Sequence, residues 1–254
     1  MKITWYGTAS IGLQAGREKI LFDPFVTLRG AENKTSVHDF SNYRTIFLTH
    51  GHLDHLASIP QIVKNRNTKI YCTPVPAGTL RRKGVSPEKL HTIKPGKTIQ
   101  AGGIRLTVLP GKHVVFDKKL VLETLLCPRF IRYAYNIPYL YLQNRQCPEK
   151  HETVSYLIET EGRRILLLGS MGIDMYPVGV DLLILPYQGT SNLICQASEI
   201  VARVQPKTIF LDHFDNAFPP LSQHIDTEPF EEHMKKTFPQ INIICPKAKV
   251  AYEF

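Results

Sequence analysis

The chain has 254 residues, 43% hydrophobic and 21% charged, with 31 Lys and Arg against 22 Asp and Glu for a net charge of +9. That length and apolar share can fill a large core, which excludes a disordered, collagen-like or disulfide-framed chain. No run of 18 apolar residues occurs, and the start Met1-Lys2-Ile3-Thr4-Trp5 lacks the apolar core and cleavage site of a signal peptide, so a cytoplasmic protein with no membrane partner is expected.

In chain order, short strand-like runs alternate with turns in the N-terminal part, as where Lys19-Ile20-Leu21-Phe22 meets Asp23-Pro24. A polar loop over 27–43 leads to an apolar strand, Thr45-Ile46-Phe47-Leu48. Directly after it stands T-H-G-H-L-D-H-L, Thr49 to Leu56, which places His50, His52, Asp54 and His55 within six residues. Neutral imidazole and carboxylate are ligands for zinc and its first-row neighbours. In an extended chain His50 and His52 share a face, because side chains alternate with period two. Asp54 and His55 then open a helix from Leu53 to Ile59 and point elsewhere. That suits two adjacent metal positions better than one. A plain polar turn does not explain ligand types at this density.

A helix near 56–65 is followed by a strand over Thr68–Cys72. Thr98–Ala101 and Ile104–Leu109 form a pair around Gly102-Gly103, and the second of them runs into V-L-P-G-K-H, Val108 to His113. The segment 119–150 is rich in Tyr, Leu and Pro and carries Phe130, Tyr133, Tyr135, Tyr139 and Tyr141. It reads either as a lid with aromatic walls or as a helical hairpin that completes the core or a dimer contact. The hairpin is favoured, since Tyr is at home in half-buried positions. Val154–Glu159 and Arg164–Leu168 bracket a tight turn at Glu161-Gly162-Arg163, and I-L-L-L-G-S-M-G ends at Gly172. Asp181–Leu185 is a buried strand by its continuous apolar run. A helix over 196–204 precedes I-F-L-D-H-F, Ile209 to Phe214, and a helix over 227–238 precedes Ile241–Ile244. No internal repeat is readable.

The charge is unevenly placed. Thirteen Lys or Arg lie between Lys64 and Lys119 against Glu88 and Asp117, whereas acids outnumber bases from His151 onward. A basic half steers small anionic molecules. Arg81-Arg82-Lys83 reads as a hairpin or loop tip of solvated charge. Nucleic acid is a poor candidate partner, because no binding motif accompanies the bases and aromatics are not interleaved with them. Cys72, Cys127, Cys147, Cys195 and Cys245 are odd in number and form no C-x-x-C, as expected of reduced thiols.

The spacing H-x-H-x-D-H after a strand resembles the signature of the metallo-β-lactamase superfamily. So do M-K-I-T-W-Y-G-T-A-S-I…K-I-L-F-D-P-F from Met1 to Phe25, the histidine of V-L-P-G-K-H, G-S-M-G where G-D-x-G is usual, and the strand-end histidine of F-L-D-H-F. These motifs run nearly the full length of the chain. The resemblance implies a four-layer αββα sandwich, two mixed sheets with helices outside, as a single domain over 1–254 with an insert around 119–150. It implies that His50, His52 and His113 hold one metal ion and Asp54, His55 and His213 a second. One or two divalent ions are expected, zinc foremost, with manganese, iron or nickel as alternatives. Three protein ligands plus water is a catalytic pattern, with a metal-bound hydroxide as nucleophile and Asp54 as a further proton acceptor.

Ser170 stands where superfamily enzymes with two metals carry a bridging aspartate. A neutral hydroxyl there implies a weaker second site, a longer metal separation or a water in the bridging place; neither Asp174 nor Asp212 sits at the matching position. The opening W-Y-G-T-A-S-I and the Asp23-Pro24 turn look most like the branch of ascorbate-6-phosphate lactonase-like hydrolases. Hydrolysis of a small anionic ester, a phosphodiester or a lactone, is the function so implied. The alternatives are a nuclease-type phosphodiesterase and a catalytically degenerate metal-binding or regulatory member. The insert is the natural place for a homo-oligomer contact. His38, His91, His151, His224 and His233 lack a motif position and read as surface or supporting residues, with His38 on a loop that could overhang the site.

Overall fold

In the computed structural model, which describes residues 1–115 and 118–254, β1 (Lys2–Trp5), β2 (Ile11–Ala15) and β3 (Glu18–Phe22) form an antiparallel meander. Three parallel strands continue it: β4 (Thr45–Phe47), β5 (Lys69–Cys72) and β6 (Leu90–Thr92). The crossovers carry α1 (Leu53–Leu56) and α2 (Ile59–Val63) after β4, and α3 (Pro74–Arg82) after β5. One continuous helix was expected over the stretch that α1 and α2 divide. Pro60 sits in the first turn of α2, where it is tolerated, but it has no N–H to continue a helix arriving from α1.

The second sheet repeats the pattern. β7 (Thr98–Ala101), β8 (Ile104–Pro110), β9 (Val154–Thr160) and β10 (Arg163–Leu167) run antiparallel, and β11 (Leu182–Pro186), β12 (Thr208–Asp212) and β13 (Asn242–Ile244) add on in parallel. β14 (Ala251–Glu253) returns to pair with β1, so each sheet has seven strands among the described residues, with three antiparallel pairings followed by three parallel ones. This is a repeat of topology that the sequence does not display.

Period-two alternation then builds the layers. Ile20 and Phe22 of β3 and Phe47 of β4 enter one core with Leu106, Tyr156, Ile165 and other residues of the second sheet. Leu21 and Ile46 enter another with Leu56, Ile59 and Ile62 of the helices and Leu80 of α3. Strands buried on both faces read as continuous apolar runs, as β11 does. α7 (Leu193–Val204) buries Ala197, Ile200, Val201 and Val204, one stripe at helical spacing, and α8 (Glu228–Thr237) buries Phe230 and Met234. Tyr156 Oη donates to Leu48 O at 2.6 Å and ties the sheets together. The result is the expected αββα sandwich.

The 119–150 segment is helical. α4 (Lys118–Leu126), α5 (Pro128–Arg132) and α6 (Ile137–Gln146) follow one another, and Asn136 Nδ2 anchors them to the body by donating to Arg29 O and Pro219 O. Arg81 and Arg82 are not a loop tip; they close the last turn of α3, where cations complement the helix dipole. Lys83, at its cap, donates to Gln143 and Gln146 of α6. No described helix is long and apolar enough to cross a membrane.

Candidate metal centre

Strand direction gathers the site. β8, β10, β11 and β12 run the same way, so His113, Ser170, Gln188 and His213, which follow them, emerge at one end of the second sheet. β3 and β4 are likewise parallel, and Asp23 and the His50–His55 loop leave their ends. All six residues named as ligands from the motifs arrive in two triads. The donor atoms of His50, His52 and His113 lie within 4.8 Å of one another, and so do those of Asp54, His55 and His213.

In the first triad His50 Nε2 is 3.1 Å from His52 Nδ1, and the His113 ring centroid is 4.9 Å from that of His50 and 4.5 Å from that of His52. In the second, Asp54 Oδ2 is 3.0 Å from His213 Nε2 and 3.4 Å from His55 Nε2. Donors on a tetrahedral zinc ion, at bond lengths of about 2.0–2.2 Å, stand roughly 3.3 Å apart. The residues therefore fit a small divalent cation. The triads abut, with the His50 and His55 ring centroids 3.9 Å apart.

The other ring nitrogens are occupied in the way that orients metal ligands. His55 Nδ1 is 2.9 Å from Asp23 Oδ2. Thr49 Oγ1 donates to the same oxygen at 2.6 Å and lies 3.0 Å from His50 Nδ1, which it can accept. Asp23 thus holds one imidazole of each triad. His213 Nδ1 meets Gln188 Oε1, and His113 Nδ1 meets Val114 O, each at 2.6 Å. Asp23 and His213 both adopt left-handed backbone, at φ of 44° and 62°, uncommon for residues with a Cβ and typical of functional sites.

Charge separates the triads. Burial, then the neighbouring imidazoles, holds His50 well below the ordinary histidine range. Burial takes His52 down to about 4 and also lowers His113. In the second triad burial again opposes charge, but Asp54 and Asp23 outweigh it and carry His55 up to about 9; His213 is raised as well, by its bond to Asp54. Asp54, buried yet facing His55 and His213, is held well below the carboxylate range. Behind it, burial pushes Asp212 up to about 7, and its Oδ1 is buried without a hydrogen-bond partner among the described residues. An orphaned acceptor is costly, and a cation at the adjacent triad offsets that cost.

Both triads line a cavity of about 650 Å³. One wall is α4, through Lys119, Leu120, Glu123, Thr124 and Leu125. The aromatics Phe130, Tyr133, Tyr135, Tyr139 and Tyr141 are not on it, so the aromatic-walled lid is replaced by an aliphatic and polar helix face. His38 does not reach the lining either. His224, left without a role by the motifs, does, with Nδ1 3.0 Å from Glu32 Oε2. Gln188 and Lys119 were missed because a single Gln or Lys outside a motif carries no sequence signal; Asp23 was visible only as the Asp of an Asp-Pro turn.

Ser170 also lines the cavity, and its hydroxyl has a different task from a bridging carboxylate. Its Oγ accepts the Val114 N–H at 3.0 Å, next to His113. Lys112 and Gly172 form an antiparallel bridge beside it, so close that a Cβ on Gly172 would lie 2.1 Å from Lys112 O. Gly172 and Ser170 together fix the loop that delivers His113.

A family model described as the beta-lactamase superfamily domain matches residues 18–214. A UPF0173 metal-dependent hydrolase of Alkaliphilus metalliredigens is 27% identical over 252 residues, 96% of either chain. Another, from Archaeoglobus fulgidus, is 26% identical over 100% of this chain and 99% of its own. Among solved structures, Igni18, a metallo hydrolase from the archaeon Ignicoccus hospitalis, has the same fold with a TM-score of 0.66 at 17% identity, covering 100% of this chain and 98% of that one. With that model spanning the strands and loops from β3 to His213, the chain belongs to the beta-lactamase superfamily, as a metal-dependent hydrolase of the metallo-β-lactamase fold.

Proposed function

We propose that the chain, working as one domain over residues 1–254, hydrolyses a small anionic ester, a phosphodiester or a lactone, at a two-metal centre. The observation that carries this reading is the pair of abutting triads at a cavity that also presents a cation, Lys119. His50, His52 and His113 would hold one ion and Asp54, His55 and His213 the other. Zinc suits donors of this type and spacing best, while manganese, iron and nickel use the same atoms. A divalent ion supplies there a Lewis acid for the scissile group and acidifies coordinated water. Asp54, a carboxylate in this triad, would accept the proton of the attacking water. Lys119 draws the anionic group of the substrate into the cavity, whose size is that of small-molecule sites. The resemblance of the opening segment to the lactonase-like branch supports an ester of this size. All five cysteines are free thiols, which fits a reducing, cytoplasmic setting.

One observation favours a second reading, a member with weakened or lost catalysis: the bridging position holds Ser170, already engaged with Val114 N–H. The test is metal content per chain on protein purified without chelator, with His50→Ala as control, beside hydrolysis of bis(p-nitrophenyl) phosphate and a simple lactone. Near two ions and turnover lost in the variant support the first reading. Metal without turnover supports the second. No uptake after addition of zinc or manganese overturns the first reading and leaves a fold that has given up its chemistry.

A further inference from the structure

Helices α4, α5 and α6 expose apolar side chains that no described element of the chain covers. On α4, Leu122 and Leu126 stand four positions apart and share one face. Leu126 is 74% exposed, Ile131 on α5 is 82% exposed, and Tyr141 and Leu142 on α6 are also exposed. Soluble proteins scatter large apolar groups singly; this concentration on three consecutive helices marks an interaction surface.

The charge around it has one sign. Lys118, Arg132 and Arg145 are exposed on the same helices, and Glu123 is the one acid between residues 118 and 146. Arg29 joins them from the neighbouring loop, its guanidinium 5.0 Å above the Tyr135 ring. Two copies meeting through this face about a two-fold axis would set like charges against like, which disfavours a self-complementary contact. Leucines, half-exposed tyrosines and a rim of Lys and Arg match instead a negatively charged interface with an apolar interior.

We propose that α4–α6 dock the protein on an anionic lipid surface. The aliphatic side chains enter the headgroup boundary and the arginines meet the headgroup phosphates and carboxylates. The other side of α4 lines the metal-site cavity through Lys119, Leu120, Glu123, Thr124 and Leu125, so docking brings the cavity to the lipid. Asn136 and Lys83 fix the helices to the body, which gives the docked protein one orientation. The proposal does not depend on which ester the site hydrolyses.

Cosedimentation of the full chain with phosphatidylcholine–phosphatidylserine vesicles tests it, with phosphatidylcholine vesicles as control. Binding to the anionic vesicles alone, falling with added salt, is expected. Arg132→Glu with Arg145→Glu should weaken it by at least about 25-fold, at roughly five-fold per basic residue removed. Leu126→Asp with Ile131→Asp should weaken it comparably while leaving the circular dichroism and melting temperature unchanged, since both side chains are exposed. Absence of binding by the natural chain, or equal binding by the variants, overturns the proposal. So does a dimer in sedimentation velocity that Ile131→Asp dissociates, which would assign the face to a second copy.

Discussion

The two triads share a loop and obey opposite electrostatics. His50, His52 and His113 have no carboxylate among them, and burial keeps all three imidazoles neutral at pH 7. Asp54, His55 and His213 include an acid and are backed by Asp23 and Asp212, and there His55 is held protonated and His213 is raised toward protonation instead. The first triad offers lone pairs ready for a cation. The second must release protons before a cation can enter. A metal ion at the first position stands in a cluster of neutral ligands, whereas one at the second replaces positive charge already balanced by carboxylates. One carboxylate in place of an imidazole thus separates a site that waits for charge from one that already holds it.

Removing one imidazole from each triad tests that difference most strongly. His55→Ala leaves Asp23 buried without its cationic partner and Asp54 with His213 alone, and should cost about 3–5 kcal/mol in metal-free protein, as breaking a buried ion pair does. His50→Ala removes a neutral ring and its contact with Thr49 Oγ1, and should cost nearer 1 kcal/mol beyond lost packing. Each variant should lose one metal position. Urea midpoints of chelator-treated proteins, with metal content measured in parallel, separate the effects. Equal destabilisation would show that the triads do not differ in charge.

How much of this was readable in the sequence follows from where the chain crowds its signal. Four of the candidate ligands fall within His50–His55, and the apolar run before them fixes the strand, so that loop and β4 were legible from local pattern alone. His213 and His113 were reachable only through the family resemblance, because one histidine after a strand is common. β6, α3 and β14 went unread: β6 and β14 have three residues each, and α3 holds two prolines and a glycine that hide its period. The repeated topology of the sheets was equally silent, since backbone pairing and not shared residues carries it. Gln188 and Lys119 acquire meaning only from the cavity, where parallel strand ends and α4 converge.

Proton linkage gives the next largest effect. His55 is raised to about 9 from a model-peptide value of 6.5. Its contribution in metal-free protein is complete below that unfolded value and is lost as pH rises through the folded one, on the order of 3 kcal/mol in all. His52 is depressed to about 4, so its neutral burial is cheapest above 6.5, and stability is lost as pH falls from there toward 4. Asp212, raised to about 7 by burial, works against the His52 limb between pH 4 and 7, so the decline above pH 7 is the clearer one. His55→Ala should shrink the alkaline decline to the part that His213 supplies, and His52→Ala should remove that histidine's share of the acid limb. Denaturation across pH 4 to 9.5 measures both limbs; an alkaline limb undiminished in His55→Ala would place the linked proton elsewhere.

Ser170 sharpens the comparison by the smallest change, because it lines the cavity that both triads share. Ser170→Ala strips Val114 N–H of its acceptor in a buried place and should cost about 1–3 kcal/mol while loosening the loop that carries His113. Ser170→Asp keeps an acceptor for that N–H and adds a negative charge. The acid-free first triad has most to gain from it: its imidazoles should titrate higher, and metal affinity should rise about ten-fold, the low end of what a change next to metal ligands produces. The carboxylate-backed second triad should respond less. Calorimetric zinc titrations of the two variants and the natural chain read this directly. A rise confined to one class of site identifies which triad the position faces, and no rise in either would mean that the serine serves the His113 loop alone and that the centre functions without a bridging carboxylate.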